Sequence, residues 1–217
     1  MGETGEKGFR RVGGRLCLDF VNTVGEWASR PHRSRGRDWR DHPERERLTS
    51  YGALLEWAVF VGVLRHAEAR RLHDAALERR PRASAVLARA RRLRHATYRL
   101  LRASIEGWTP DSSDVALLDD EVRVARLHQR LGGELPLTLS WDDDPHALDR
   151  MLWPIALDAA SLLSSTDLNR VGQCPGDRCG WMFLDESRGR RRKWCDMADC
   201  GNLAKVRRFR ARAAAGS

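Results

Sequence analysis

Four cysteines, Cys174, Cys179, Cys195 and Cys200, are the residues of this 217-residue chain whose type and spacing could do chemistry. They lie in CPGDRCGWMFLDESRGRRRKWCDMADC, spaced C-x4-C, fifteen residues, then C-x4-C. Each pair is close enough for one turn to aim two thiolates at one ion, and the insert lets the second pair return to close a tetrahedral set. Thiolates suit a borderline-soft cation such as Zn2+, and four of them leave no open position for catalysis. One structural Zn2+ is therefore the expected cofactor. The competing assignment is a pair of disulfides, which belong to oxidising compartments.

The residues around the cysteines extend this reading. Gly180-Trp181-Met182-Phe183 follows the first pair and offers aromatics to cover the metal. So small a module needs its ion, since apparent Zn2+ binding energies of about 10–16 kcal/mol exceed what its few apolar side chains can supply. After Cys200, GNLAKVRRFRARAAA reads as a short helix. At about 100° per residue, Leu203, Val206 and Phe209 share one side, expected to pack on the zinc core, while Lys205, Arg208 and Arg212 face out. Ten basic residues (Arg188, Arg190, Arg191, Arg192, Lys193, Lys205, Arg207, Arg208, Arg210 and Arg212) stand against Asp196 and Asp199, a net +8. Such clustering is the footprint of a phosphate-binding surface, and all ten are candidate nucleic-acid contacts. The plainer alternative is a solvated basic tail.

A mainly helical body must carry this module. Phe9–Val24 (FRRVGGRLCLDFVNTV) reads as a short strand or a helix start, with Leu16, Leu18, Phe20 and Val21 in the core. Asp19 and Asn22 interrupt that run. They are structural hydrogen-bonding devices or, in the rival reading, a ligand-contact pair. Residues 25–47 form an Arg/Trp-rich loop with seven arginines against five acids; such interleaving can bind nucleic acid or an anionic ligand, but with the signs nearly balanced it is read as solvated. Thr49-Ser50 offers an N-cap to an apolar helix that should sit centrally. Further helices are expected over His66–Arg79, stopped by Pro81, over 83–106, and over 113–131, closed by Gly132-Gly133. The arginines of the third helix (Arg89, Arg91, Arg92, Arg94, Arg99 and Arg102) read as a solvated face, and Val115 on the fourth as inward. Leu135–Trp141 is a strand candidate. A last helix should start at Asp144-Pro145 and kink at Pro154.

The fold class is thus mainly α: a helical N-terminal domain, 9–165, with a short β element, followed by a small treble-clef or ribbon-like zinc finger, 170–214, ending in a basic helix. The chain lacks an apolar signal-peptide core at MGETGEKGFRRVGGRL and a run of ~20 apolar residues. A cytoplasmic, nucleoid-associated protein without a membrane partner is expected. Net charge is +9, with 36 arginines to 3 lysines. The quarter from 174 to 217 holds +6 of it. No P-loop or GxGxxG is present, and Asp19, Asn22, His32 and His42 form no catalytic spacing, so no enzyme is expected.

These residues resemble a known pairing. The paired cysteines, Cys179-Gly180-Trp181, Phe183, Asp185, Ser187, the basic run into Trp194-Cys195, Met197 and Cys200-Gly201-Asn202 resemble the CGNR-type zinc finger of bacterial proteins. LCLDFVNTV at 16–24 and the 48–64 helix resemble the ABATE domain. The resemblance implies a transcription regulator: zinc on the four cysteines, DNA as partner, and a helical domain that senses a small-molecule effector or forms a homodimer. An RNA-binding or ribosome-associated role is the alternative. Leu203 stands where the family's name-giving arginine follows Cys-Gly-Asn.

Overall fold

The computed structural model describes residues 8–27, 44–144, 146–176 and 179–215. In chain order the elements are α1 (Leu16–Val21), β1 (Val24–Glu26), β2 (Glu44–Glu46), α2 (Tyr51–Phe60), α3 (His66–Glu78), α4 (Arg80–Glu106) and α5 (Ser112–Leu127). There follow β3 (Gln129–Gly132), β4 (Thr138–Trp141), α6 (Leu152–Leu163), β5 (Val171–Gln173), β6 (Met182–Leu184) and α7 (Asn202–Ala215). The strands make three antiparallel pairs, β1 with β2, β3 with β4 and β5 with β6. The chain folds as two compact units: 48–168 forms one, and 1–47 joins 169–217 in the other.

The 48–168 unit is helical. Ser50 caps α2 by accepting from the Ala53 amide at 3.1 Å, and Tyr51, Ala53, Leu54, Leu55, Trp57 and Ala58 are buried. Pro81 opens α4 rather than ending α3, because its missing N–H goes unused in a first turn. Val86, Ala90, Leu93, Thr97, Leu100 and Ser104 recur at alternating four- and three-residue steps that predict one inward stripe; the first five are buried, and Ser104 is exposed. Of the α4 arginines Arg92 is exposed as expected, while the other five depart from the solvated face. Arg94 and Arg102 are buried, Arg89 binds Glu121 and Asp149, Arg99 binds Asp114, and Arg91 binds the Leu48 carbonyl. Their long stems cross apolar surface to reach fixed acceptors, which periodicity alone does not reveal.

Two other helices differ from expectation at their ends. Helix α5 stops at Leu127, and residues 129–132 pair instead with 138–141, Leu131 opposite Leu139. Gly132-Gly133 therefore serves the hairpin, with Gly133 at φ +91°. Val115, expected inward, is exposed. Helix α6 begins only at Leu152, so Pro154 lies in its first turn and has no carbonyl-bound N–H to lose; no kink is required. Pro145 lies outside the described residues. Leu148, Leu152, Ile155, Ala159 and Leu162, whose spacing predicts one stripe of this helix, are buried. The α5–β3 junction rests on aromatic stacking, His128 lying 3.9 Å from Trp153 with rings 7° from parallel.

In the other unit, Phe9–Val24 resolves into α1 and then β1. Leu18, Phe20 and Val21 are buried as expected, with Cys17, Val24 and Trp27, whereas Leu16, expected in the core, is half-buried. Hairpin β5–β6, a knuckle at 195–200 and helix α7 complete a small zinc-finger fold. Leu203, Val206 and Phe209 do not pack inward as expected: they are 53%, 39% and 74% exposed. Helix α7 leaves the knuckle carrying its apolar stripe into solvent.

Candidate metal centre

Each cysteine pair is held by a backbone turn. The Cys174 amide donates to the Trp181 carbonyl at 2.8 Å, fixing the first sulfur at the end of β5. The Cys179 amide donates to Gly176 at 3.1 Å, closing the first knuckle. A Cβ on Gly176 would lie 3.1 Å from the Cys179 Cβ and 3.2 Å from the Cys200 sulfur, so glycine gives the converging cysteines room. In the second knuckle, the Asp196 carboxylate accepts from the Ala198 amide at 2.8 Å and its carbonyl from the Gly201 amide at 3.0 Å.

The four sulfurs converge to within 4.8 Å of one another. Cys179 and Cys195 sulfurs are 3.4 Å apart, Cys195 and Cys200 sulfurs 3.7 Å. A tetrahedron of thiolates at ~2.3 Å from Zn2+ has edges of about 3.8 Å, whereas a disulfide needs about 2.05 Å. All four are free thiols, which removes the disulfide alternative. Four sulfurs packed this closely share one charge environment, and a divalent cation at the centre would stabilise all four as thiolates at once. The donor set fits one structural zinc, which Cys174, Cys179, Cys195 and Cys200 would hold.

The surrounding shell comes largely from residues 8–27. Asn22 is 3% exposed; its amide donates to the Met182 carbonyl at 2.8 Å, and its oxygen accepts from the Met182 amide at 2.9 Å. The Trp181 indole donates to the Val24 carbonyl at 3.0 Å, and the Trp27 amide to the Cys179 carbonyl at 2.8 Å. Asp19 accepts from the Val12 and Gly13 amides at 2.9 and 2.7 Å. Burial nevertheless pushes its carboxyl up to about 6. Arg10 pairs with Asp196, and with Asp199 at 2.7 Å.

The expected basic residues divide. Arg188, Arg190, Arg191 and Lys193 are exposed on the 185–194 loop, and Lys205, Arg207, Arg208, Arg210 and Arg212 on α7. Arg192 instead turns inward. It donates to the carbonyls of Val12, Leu184, Trp194 and Cys195 and lies 4.5 Å over the Phe183 ring. The loop is shaped by Asp185, which accepts from the Ser187 amide at 2.8 Å and the Arg192 amide at 2.9 Å. The Ser187 hydroxyl, together with these amides, holds that carboxyl below its usual range.

Arg47 and Trp27, read from sequence as part of a solvated loop, are the residues most misjudged. Trp27 is fully buried, and Arg47 lies 5.2 Å over the Trp181 ring. The interleaving of arginine and tryptophan was their one available signal. Trp39, His32 and His42 lie outside the described residues.

A mainly helical body and a four-cysteine knuckle define a zinc-finger protein. Comparison with known families agrees: residues 170–213 match the CGNR zinc finger. Residues 14–166 match ABATE, whose description is "Putative stress-induced transcription regulator". The chain belongs to the ABATE family and carries a CGNR zinc finger. No curated protein matches it. Among the described residues, no helix is long and apolar enough to cross a membrane.

Proposed function

We propose that this chain is a DNA-binding transcription regulator that works at the nucleoid, in which zinc is structural and the helical unit is regulatory. The observation that carries the reading is the disposition of charge. Nine basic side chains, on α7 and the 185–194 loop, are exposed beside the cysteine cluster. Lys and Arg at such density engage phosphates and release counterions, so affinity must fall steeply with salt. Fluorescence anisotropy of the zinc-loaded full chain on a labelled duplex, from 50 to 200 mM salt (a range chosen after), tests this. A flat response refutes it, and preference for structured RNA over duplex at fixed salt shifts the role to RNA. A chemical role for the metal is disfavoured by its closed four-sulfur set.

Self-association, in this reading, runs through the β3–β4 hairpin. Leu127, Leu131, Leu135, Leu137 and Leu139 are 48–87% exposed there. At about 180 Å2 for a fully exposed leucine they offer roughly 600 Å2, approaching the ~800 Å2 each partner of a stable complex contributes. Sedimentation of a Leu131→Lys, Leu139→Lys double variant as a monomer, against a dimeric parent, is the expected result; a monomeric parent refutes it.

A further inference from the structure

The exposed basic residues above all come from 188–212, yet a cavity beside the zinc knuckle is built from three stretches of chain. It has a volume of about 570 Å3, inside the usual range for small-ligand sites. Arg10 and Arg47 line it from the N-terminal stretch, and Leu203, Arg207 and Arg208 from α7, with Trp194 as an aromatic wall and the ligand cysteines Cys179, Cys195 and Cys200 on the knuckle side. Four arginines thus line one space. The carboxylate among the lining residues is Asp199, which Arg10 already engages at 2.7 Å.

Two of these arginines are fixed in place. Arg10 is tied to both Asp196 and Asp199, and its Nε is buried with no hydrogen-bond partner. Arg47 stacks over Trp181 and donates to the Gly8 carbonyl. Side chains held before the ligand arrives lose little rotamer freedom on binding it. Arg47 is half-buried with the cations Arg10 and Arg45 nearby and the Cys179 sulfur as a counter-charge, so the guanidinium groups crowd one another in part. An anion in the cavity would relieve that crowding, and guanidinium forks match the paired oxygens of a phosphate.

We propose that this cleft, walled jointly by Arg10 and Arg47 and by Arg207 and Arg208 of α7, is a phosphate-binding site. The nucleic-acid module is then composite: the finger supplies one wall and the segment before the helical unit the other. This rests on the DNA reading for its natural ligand, a backbone phosphate, but not for the site itself, which a free phosphate would also fit. The rival account is that Arg10 and Arg47 only balance the charge of the thiolates.

The test uses the zinc-loaded full chain, with zinc content measured for every variant. Leu203→Glu places a negative charge in the cleft from an exposed position, Leu203→Arg adds a cation, and Arg47→Gln removes one from the opposite wall. Duplex affinity should fall on the order of tenfold for Leu203→Glu and for Arg47→Gln and rise for Leu203→Arg, at unchanged zinc. The salt slope of Arg47→Gln should be shallower by about 0.9. Should Arg47→Gln lose zinc, the two Leu203 variants decide. Unchanged duplex affinity in the zinc-retaining variants overturns the cleft and leaves the DNA reading standing. Should the parent bind no duplex, calorimetry with inorganic phosphate separates the two: binding abolished by Leu203→Glu supports the cleft with a free anion as ligand, and no binding overturns it.

Discussion

Replacing Asn22 with leucine should damage the zinc module although Asn22 lies 152 residues before Cys174, the first of the four clustered cysteines. Its amide closes a two-bond ring with the Met182 backbone, at 2.8 and 2.9 Å, and is 3% exposed. Leucine is close in volume but makes neither bond. Each hydrogen bond is worth about 1 kcal/mol net, and each buried backbone group left unmatched costs about 1–3 kcal/mol more. The combined loss is on the order of 4 kcal/mol. Met182 sits three residues after Cys179 and sets the end of the first knuckle, so most of that loss should appear as weaker metal binding. At 1.4 kcal/mol per decade, zinc affinity should fall on the order of a hundredfold or more. Chelator competition with a chromophoric zinc indicator measures this, and far-ultraviolet circular dichroism should show the α2–α6 body still helical. Wild-type zinc affinity in Asn22→Leu would refute the idea that the N-terminal segment is part of the metal module.

Other outcomes follow from the same geometry. Cys195→Ser should lose stoichiometric zinc while the 48–168 unit stays folded, as read by metal analysis and circular dichroism; retained zinc refutes the ligand set. Arg190→Ala with Arg191→Ala should weaken duplex binding alike across sequences and leave zinc unchanged, whereas Arg192→Ala should destabilise the module itself, because four carbonyls lose their donor. Thermal melts and anisotropy on both variants separate the two roles. Asp19 sets a pH dependence. Its folded value of about 6 lies above the unfolded 3.8, so the folded state holds the extra proton between them. Stability from this group is full below about pH 4 and is lost as pH rises through about 6, on the order of 3 kcal/mol. Zinc loss on acidification has the opposite sign, so the quantity to measure is the difference between wild type and Asp19→Asn in urea melts from pH 4 to 7; no difference would show the carboxyl to be unshifted.

The metal site was legible because its information is local. Two knuckles and four sulfurs follow from spacing, and the geometry adds only their edges. The helices of the body were legible for the same reason, through periodicity and through Ser50 as a cap. Their errors share a cause: propensity reads the chain as if each element stood alone. Nothing in LHQRLGGELPLTLSW says that Gln129–Gly132 will pair across a hairpin rather than extend α5. The arginines of α4 look solvated until Glu121, Asp149 and Asp114 are seen opposite them.

The deeper omission concerns where the finger begins. The family boundaries run 14–166 and 170–213, but the compact units do not follow them, since 1–47 clusters with 169–217. The reason lies in bonds that span about 160 residues, such as Asn22 to Met182 and Trp181 to Val24. No sequence window contains both partners. Asp19 and Asn22 stood out as polar residues inside an apolar run, and the rule that such groups must find partners was sound; the sequence could not say that one partner is the backbone between the zinc ligands. Closing a loop of the 48–168 length costs roughly 4 kcal/mol of chain entropy. Burial of Phe20, Val21, Val24 and Trp27 together with Trp181, Met182, Phe183 and Leu184, at about 1.5–3 kcal/mol for each large apolar side chain, outweighs that cost. The N-terminal segment is therefore held to the finger by apolar packing and by these bonds, while the four cysteines that would bind the metal all come from 174–200.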